Sequence, residues 1–473
     1  MSHTRAVAFN TIIQLIGKAI TVATSVLIIA YLTRYLGVAG YGAYATVFAY
    51  LSIFNVFVDL GLFVITVRDV ARSPESEKVI LGNMLGLRLA LGVVVFSLAC
   101  LIVLLLPYPP LIKAGVVVGS ISQFLCSLNQ IPLSLFQVRL VMYKATIADI
   151  VGRLTALGVV WWFIHLKLSF LYIVASAAIG NVVVFALSLL MSQIIVAIRP
   201  HFDLRLWKRM LISALPMGVV IILSTIYFRI DTVMLSMMKG SYDVGIYGAP
   251  YKILEVFLVV PSIFMSSVLP VMTKAFAKDI KLAQNIFRKS FDFLSLAALP
   301  LIFGTAVIAT PLMVLMAGKD FAMSGPVLMI LSLALAGFFL NGAMIYTIIA
   351  ANEQQRLIWP YVIATLFNIG ANLFIIPKFS YFGAAATTVL TELLVLLIAT
   401  YIVKKRLGFS LSWRVFSRAL LASIGMVIVL MLLSNLHVLW LVLIGTISYL
   451  GLLLITRAIT KDDLRVIFAK LEQ

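Results

Sequence analysis

The chain has 473 residues, of which 63% are hydrophobic and only 11% are charged, with a mean hydropathy of +1.15 and a net charge of +19. Soluble domains carry roughly 25% charged residues, so this composition excludes the soluble globular class and predicts an all-α polytopic membrane protein. The positive charge does not indicate nucleic-acid binding, because the basic residues lie in short loops between apolar runs rather than on one polar domain.

About fourteen apolar runs are long enough to cross a bilayer. Loops on alternate sides of these runs differ in charge, with about 25 basic residues on one side and about six on the other. The positive-inside rule then predicts that both termini are cytoplasmic, which requires an even number of crossings. The predicted spans are residues 7–33, 43–67, 79–106, 111–138, 145–165, 168–198, 211–236, 242–271, 291–316, 325–350, 357–377, 381–403, 416–434 and 438–458.

A short motif occurs twice, after the first span and after the seventh. The copies share a leucine, two glycines and a tyrosine at an ungapped offset of about 203 positions, namely Leu32, Gly37, Gly42 and Tyr44, and Leu235, Gly240, Gly245 and Tyr247. Six crossings separate the copies, so both enter the membrane from the same side and form a parallel repeat. We expect the two later glycines of the copies, Gly42 and Gly245, to allow tight turns between helices.

The repeat predicts the domain organisation. We expect an N-terminal lobe of six helices over residues 1–200 and a C-terminal lobe of six helices over residues 201–405. Residues 406–473 would add two further helices, outside the repeat, and a cytoplasmic tail. Duplicated units of this kind place the substrate path of many transporters between the copies.

The sequence carries no pattern typical of a catalytic, cofactor or metal site. It contains no GxxxxGK[ST] loop, no HExxH, no CxxC and no GxSxG. Cys100 and Cys126 both lie in apolar runs and are interpreted as small core residues. We therefore predict a protein that is not an enzyme and that binds no cofactor or metal.

Charged residues inside the predicted spans are the candidates for function. Each costs about 2.5 kcal/mol or more at the membrane centre unless it is paired or faces a cavity. The basic set is Lys18, Arg88, Arg153, Arg229 and Lys252, and the acidic set is Asp59, Asp149, Asp231, Glu255 and Glu392.

Spacing separates these charges into pairs and single residues. Asp149 is four residues before Arg153, and Lys252 is three residues before Glu255, so each pair can form on one helical face. Lys18 has no acidic neighbour at helical spacing.

Arg88 likewise has no acidic neighbour at helical spacing, and it lies about 14 Å from the predicted cytoplasmic edge. This depth favours a water-filled cationic cavity and an anionic cargo such as phosphate, which arginine can bind through two hydrogen bonds. Asp59 and Asp231 leave two alternatives open: a proton-exchanging carboxylate, or a salt bridge to Arg229 or Lys18.

Two segments resemble a known family. The N-terminal segment is NTIIQLIGKAITVATSVLIIAYLTRYLGVAGYGAY, which resembles the opening of the polysaccharide (O-antigen type) flippases. These belong to the multidrug/oligosaccharidyl-lipid/polysaccharide exporter superfamily. The mid-chain segment is FRIDTVMLSMMKGSYDVGIYGAPYKILE, which is similar to the second-half signature of that family, with Asp231, Gly245, Tyr247, Tyr251 and Lys252 in the expected places. The resemblance covers essentially the whole chain.

The resemblance implies two six-helix lobes around a V-shaped cavity in the cytoplasmic (inner) membrane. It implies alternating access that moves a polyprenyl-(pyro)phosphate-linked oligosaccharide to the outer leaflet for surface polysaccharide biosynthesis. The implied partners are this glycan, membrane lipids and other polysaccharide assembly proteins. Two alternatives stay open: a cation-coupled multidrug antiporter of the same superfamily, and a membrane glycan polymerase or ligase, although the latter would usually need a sizeable external polar loop.

Overall fold

The computed structural model describes residues 3–411, 413–456 and 458, and those residues contain helices and no strand. The predicted cytoplasmic tail, from residue 459 onward, lies outside the described residues. The α-helices of the described part are α1 (His3–Asp59), α2 (Leu62–Arg72), α3 (Glu77–Leu105), α4 (Pro110–Val138), α5 (Tyr143–His165), α6 (Phe170–Gln193), α7 (Leu204–Met238), α8 (Ser241–Phe257), α9 (Val259–Lys278), α10 (Ile280–Ala317), α11 (Ser324–Ala350), α12 (Ile358–Ile402), α13 (Trp413–Leu432) and α14 (Val438–Ile455).

Within the described residues, twelve helical stretches are long and apolar enough to cross a membrane. The protein is therefore a multi-pass membrane protein, as predicted. Two of the twelve stretches are much longer than one crossing requires: Ile16–Arg72 has 57 residues and Gln354–Leu407 has 54.

Each long stretch contains a residue that is not helical. Gly37 interrupts α1 with φ 65° and ψ −176°, and Ser380 interrupts α12 with φ 49° and ψ −129°. Gly240, the counterpart of Gly37 in the repeat, also has a positive φ of 91° and separates α7 from α8. Glycine is favoured at both repeat positions because positive φ is strained for residues with a side chain.

The prediction that Gly42 and Gly245 form tight turns is wrong, because both lie inside helices. Their role is close backbone approach: a Cβ at Gly42 would lie 1.7 Å from the Ser241 carbonyl oxygen, and a Cβ at Gly245 would lie 2.1 Å from the Val38 carbonyl oxygen. The turn glycines of the repeat are Gly37 and its counterpart, five positions earlier in each copy.

The predicted span 43–67 is interrupted at Leu60 and Gly61, which have φ values of 45° and 80° and separate α1 from α2. Helix α7 passes this break closely, since a Cβ at Gly218 would lie 2.6 Å from the Leu60 carbonyl oxygen. The apolar pattern continues across the break, which is why the sequence alone predicted one helix.

The described chain forms two compact units, Met1–Gly245 and Ile246–Gln473. In the N-terminal unit, the part of α1 before Gly37 runs beside α5 in the same direction. About midway along this part the Thr21 hydroxyl donates to the Asp149 carboxylate at 2.9 Å, and near its end the Tyr35 hydroxyl donates to the Leu168 carbonyl at 2.8 Å.

The part of α1 after its break runs in the opposite direction. It lies parallel to α4 and α6, and the contacts that establish this are Gly115 with Val47 and Phe170, and Gly119 with Leu51 and Val174. Helix α5 is antiparallel to α6, because Gly152 contacts Val184 and Gly180 contacts Ala156. The first part of α1 follows α5 and the second part follows α6, so the chain reverses direction at the break.

In the C-terminal unit, α10 packs against α9, α11, α13 and α14. The Tyr449 hydroxyl of α14 donates to the Leu296 carbonyl of α10 at 2.8 Å. The two parts of α12 are also antiparallel, since Asn368 bonds Thr391 at 3.3 Å and Gly383 lies against Ile375.

Candidate functional site

The N-terminal unit contains an open cavity of about 430 Å³, within the size range of small-molecule sites. Side chains from α1, α2, α3, α4 and α7 surround it. The lining residues are Ser52, Asn55, Val56, Asp59, Phe63, Arg88, Ser127, Gln130, Ile221, Ser224, Thr225, Phe228 and Arg229.

Arg88 is the most buried charge at this cavity, with 1% of its side chain exposed. Its Nη2 atom donates to the Asp59 carboxylate, and its Nη1 atom donates to the Ser127 carbonyl oxygen at 2.9 Å. Arg229 and Lys18 were the salt-bridge partners considered for Asp59 from the sequence, and the structure shows Arg88 as a partner. Spacing arguments could not find this partner, because Asp59 lies 29 positions before Arg88 on another helix.

The position of Arg88 along α3 explains why it needs these partners. It lies eleven residues after Glu77, the first residue of α3, which is about 16 Å along the helix. That depth is about half of the roughly 30 Å hydrocarbon core. A guanidinium there is stable only when hydrogen-bonded or hydrated, and the cavity supplies both an acidic partner and space for water.

The cavity has a net positive charge. Its lining contains one acidic residue, Asp59, and two basic residues, Arg88 and Arg229. The Nε atom of Arg88 and the Oδ1 atom of Asn55 are buried and have no hydrogen-bond partner among the described residues. These two atoms are an unsatisfied donor and an unsatisfied acceptor in the cavity wall.

Uncharged polar residues complete the lining, and they were not among the candidates predicted from the sequence. Two of them lie on α1, where Ser52 is three residues before Asn55 and Asn55 is four residues before the charged Asp59. At this spacing the three side chains share one helical face. On α7, Ser224 and Thr225 face the same cavity. A search for polar side chains at helical spacing inside apolar runs, rather than for charges alone, would have found both groups.

The structure does not bring the other predicted cations to this cavity. Arg153 pairs with Asp149 at 3.3 Å, which confirms the pairing predicted from spacing. Lys18 is exposed and forms no ion pair with a described residue. Asp231 is 2% exposed on α7 and is not a lining residue.

The remaining predicted charges belong to the C-terminal unit. Lys252 and Glu255 form the predicted pair on α8, with 2.7 Å between Nζ and Oε2. In the described part of the chain, no three His, Cys, Asp or Glu side chains are grouped as metal ligands would be.

Tyr44 and Tyr247, the tyrosines of the repeat, have different environments. Tyr44 is half-buried and packs against Phe48 with 4.7 Å between ring centroids. Tyr247 is fully buried, and its hydroxyl lies 3.1 Å from the Thr388 hydroxyl. The conserved spacing of the motif therefore does not give the two tyrosines the same contacts.

Three comparisons place the chain among known proteins. It is 25% identical over 210 residues to the capsular polysaccharide biosynthesis protein CapF of Staphylococcus aureus, an alignment that covers 42% of this chain and 50% of CapF. The chain thus spans about half the length of this relative. Its fold is similar to a solved structure of the lipid II flippase MurJ in an inward closed conformation, with a TM-score of 0.77 and 15% identity over 94% of this chain and 98% of MurJ.

The fold is also similar to an inward-facing multidrug resistance transporter of the MATE family and MOP superfamily. That similarity has a TM-score of 0.67 and 13% identity over 84% of this chain and 98% of the transporter. A family model described as polysaccharide biosynthesis protein matches residues 7–276, which is more than half of the chain. With its helical membrane fold, the chain belongs to this family of polysaccharide biosynthesis proteins.

Proposed function

We propose that this protein is a flippase that moves a polyprenyl-(pyro)phosphate-linked oligosaccharide across the cytoplasmic membrane by alternating access, without chemical change to its cargo. The observation that carries the proposal is the net positive, hydrogen-bonding cavity in the membrane around Arg88. Membership in the polysaccharide biosynthesis family and the fold shared with a lipid II flippase support it. In this proposal the glycan and membrane lipids are the partners, together with other polysaccharide assembly proteins.

The proposed topology has fourteen crossings with both termini in the cytoplasm. An unbroken α1 of 57 residues would be about 85 Å long, against a hydrocarbon core of about 30 Å. The reversal at Gly37 and the break at Ser380 support two crossings in each long stretch. The excess of basic residues in alternate loops supports the orientation. The division into lobes of residues 1–200 and 201–405 is part of this proposal.

The cavity offers a chemical basis for moving an anionic headgroup. The Arg88 guanidinium is held in position by Asp59 and the Ser127 carbonyl, and its Nε–H has no hydrogen-bond partner among the described residues. Together with Arg229, it would stabilise a phosphate oxygen that has lost its water shell. The serine, threonine and amide side chains would replace water around sugar hydroxyls, while the lipid tail stays in the bilayer.

The antiporter alternative requires an acidic site for an organic cation. Asp59 is the acidic residue of the cavity lining, and it is paired with Arg88. A paired carboxylate in a net positive cavity disfavours a cationic cargo, so the fold shared with a MATE transporter is the remaining support for that alternative.

Deletion of the gene in its native host tests the proposal. We expect lipid-linked oligosaccharide to accumulate in the cytoplasmic leaflet and surface glycan to be lost, and the intact gene to restore both. Surface glycan that is unchanged after deletion would contradict the flippase proposal. If the deletion strain keeps its surface glycan but loses efflux of cationic dyes, the result would support the antiporter alternative.

Complementation with variants tests the cavity. Arg88→Glu should fail to restore surface glycan while the protein stays in the membrane, because the reversed charge repels phosphate and Asp59. Arg229→Gln should weaken export without breaking the buried ion pair. Arg34→Glu is the control, since this exposed arginine of α1 lies outside the cavity and bonds the Ala30 carbonyl of its own helix. Full export by Arg88→Glu would exclude the proposed role of Arg88.

A further inference from the structure

A carboxyl group is buried in the C-terminal unit and has no basic partner among the described residues. Glu392 lies in the second part of α12 and is 1% exposed. Its Oε2 atom accepts a hydrogen bond from Asn341 Nδ2 of α11 at 3.0 Å. The two helices approach closely at this point, because a Cβ at Gly337 would lie 2.5 Å from the Glu392 Cβ.

One oxygen of each of these two side chains is unsatisfied. Glu392 Oε1 and Asn341 Oδ1 are both buried and have no hydrogen-bond partner among the described residues. If the carboxyl were ionised, both atoms would be acceptors and neither could satisfy the other. A buried carboxylate with one amide bond and no counter-charge is also costly in the membrane.

No charged side chain faces this carboxyl from the helices around it in the described part of the chain. Helix α11 carries no Asp, Glu, Lys or Arg, and its titratable side chain is Tyr346. Helix α8 approaches one turn away through Tyr247, which bonds Thr388. The first part of α12 approaches through Asn368, which bonds Thr391. The described side chains that approach this carboxyl from the neighbouring helices are thus uncharged.

We propose that Glu392 and Asn341 form a proton-binding site. The proton resides on Glu392 Oε1 and is donated to Asn341 Oδ1, while Asn341 Nδ2 donates to Glu392 Oε2. This reciprocal carboxylic acid–amide pair satisfies both unsatisfied oxygens with one proton. Loss of the proton to water would leave a carboxylate opposite an amide oxygen, which favours separation of α11 from α12.

A proton fits the surroundings better than a sodium ion. Sodium would need several oxygen ligands around the carboxylate, but the neighbouring hydroxyl of Thr391 donates to the Thr387 carbonyl at 2.7 Å and accepts from Asn368. The Asn341 amide donates its N–H to the carboxylate and so directs hydrogen, rather than oxygen, at Oε2.

The site would couple transport to a proton gradient, and this role rests on the proposed flippase function. Protonated Glu392 holds α11 and α12 together. Release of the proton on the opposite side of the membrane would loosen them, so that one proton moves for each cycle. Binding of the proton itself does not depend on the identity of the cargo.

Infrared difference spectroscopy of the purified full-length protein in lipid nanodiscs tests the protonation state. At neutral pH, the difference between the wild-type and Glu392→Gln spectra should contain a carboxylic-acid C=O band, which the variant has lost. Glu392→Gln keeps the hydrogen-bonded pair through its amide and should fold. If that variant is not recovered, Glu392→Asp should shift the same band. Glu255→Gln is the control and should lose no acid band, because Glu255 forms an ion pair with Lys252.

Absence of a band that depends on Glu392 would overturn the proposal. A second result would also overturn it: sodium stabilises the wild type against heat, Glu392→Gln abolishes this effect, and no acid band is present. That combination would assign the site to sodium.

Export from proteoliposomes then tests coupling, with a polyprenyl-pyrophosphate-linked fluorescent oligosaccharide as cargo. A pH gradient should accelerate wild-type export, and Glu392→Gln should lose this acceleration; acceleration that persists in the variant overturns the coupling. If wild type moves no glycan, the flippase proposal fails while the infrared result still decides the proton site.

Discussion

Replacing Asp59 by asparagine removes the negative partner of a guanidinium that is almost completely buried. Arg88 would keep its hydrogen bond to the Ser127 carbonyl but lose its charge compensation. Removal of one partner from a buried ion pair costs about 3–5 kcal/mol, chiefly because the other charge is left uncompensated. Asp59 is 22% exposed, so cavity water can partly replace it, and we expect a cost near the lower end, about 3 kcal/mol.

A double-mutant cycle separates the pair from its surroundings. Arg88→Gln removes the buried charge, and Asp59→Asn/Arg88→Gln replaces the ion pair by two amides that can bond each other. We expect the double variant to be less destabilised than the sum of the single variants by about 2 kcal/mol. The free energy of unfolding is measured by SDS titration of the purified protein in mixed micelles. Export should stay low in the double variant although its stability recovers, because the cavity has lost a phosphate-binding group.

The matched control is Asp149→Asn. Its partner Arg153 is 44% exposed, so loss of this pair should cost less than about 1 kcal/mol. Additive effects of the Asp59 and Arg88 substitutions, or equal costs for Asp59→Asn and Asp149→Asn, would refute the reasoning. Wild-type export by the double variant would show that the pair is structural and that Arg88 does not bind cargo.

Three further substitutions have expected outcomes by the same unfolding assay. Gly42→Ala places a Cβ against a backbone oxygen and should destabilise by about 1–3 kcal/mol, whereas Gly158→Ala, with open space around it, should be neutral or stabilising; equal effects would contradict the close approach. Tyr247→Phe removes a buried hydroxyl bond and should cost about 0.6–1 kcal/mol, and an unchanged stability would show that the bond contributes nothing. Glu77→Gln weakens a pair with Arg139, which is 47% exposed, and should cost about 1 kcal/mol; a cost of several kcal/mol would mean that the pair behaves as buried.

The membrane class and the local ion pairs could be predicted from sequence because each depends on local information. Apolar runs and loop charge identify membrane helices, and spacing along one helix predicted the contacts of Arg153 with Asp149 and of Lys252 with Glu255. The partner of Arg88 could not be predicted this way, since Asp59 lies 29 positions away on another helix.

The roles of the repeat glycines were predicted only in part. A short sequence motif shows where glycine recurs, but it does not show whether the reason is a positive φ or the close approach of another backbone. The conformations of Gly37 and Gly240 answer this for the turns, and the neighbours of Gly42 and Gly245 answer it for the contacts. Glu392 was noted as a buried charge, but its amide partner belongs to a helix 51 positions earlier in the chain, beyond the reach of spacing arguments.

The contact between the two copies of the repeat has the form of an isologous interface. Gly42 meets Ser241, and Gly245 meets Val38, so each contact maps onto the other when the repeat offset is applied. A homodimer built on a two-fold axis makes such reciprocal contacts because both subunits present the same surface. Within the N-terminal unit, these four residues therefore reproduce the reciprocal contact of a two-fold axis. A larger side chain at this contact in one copy of the repeat therefore requires a compensating change in the other copy. The substitutions that the two copies permit at this contact thus depend on each other.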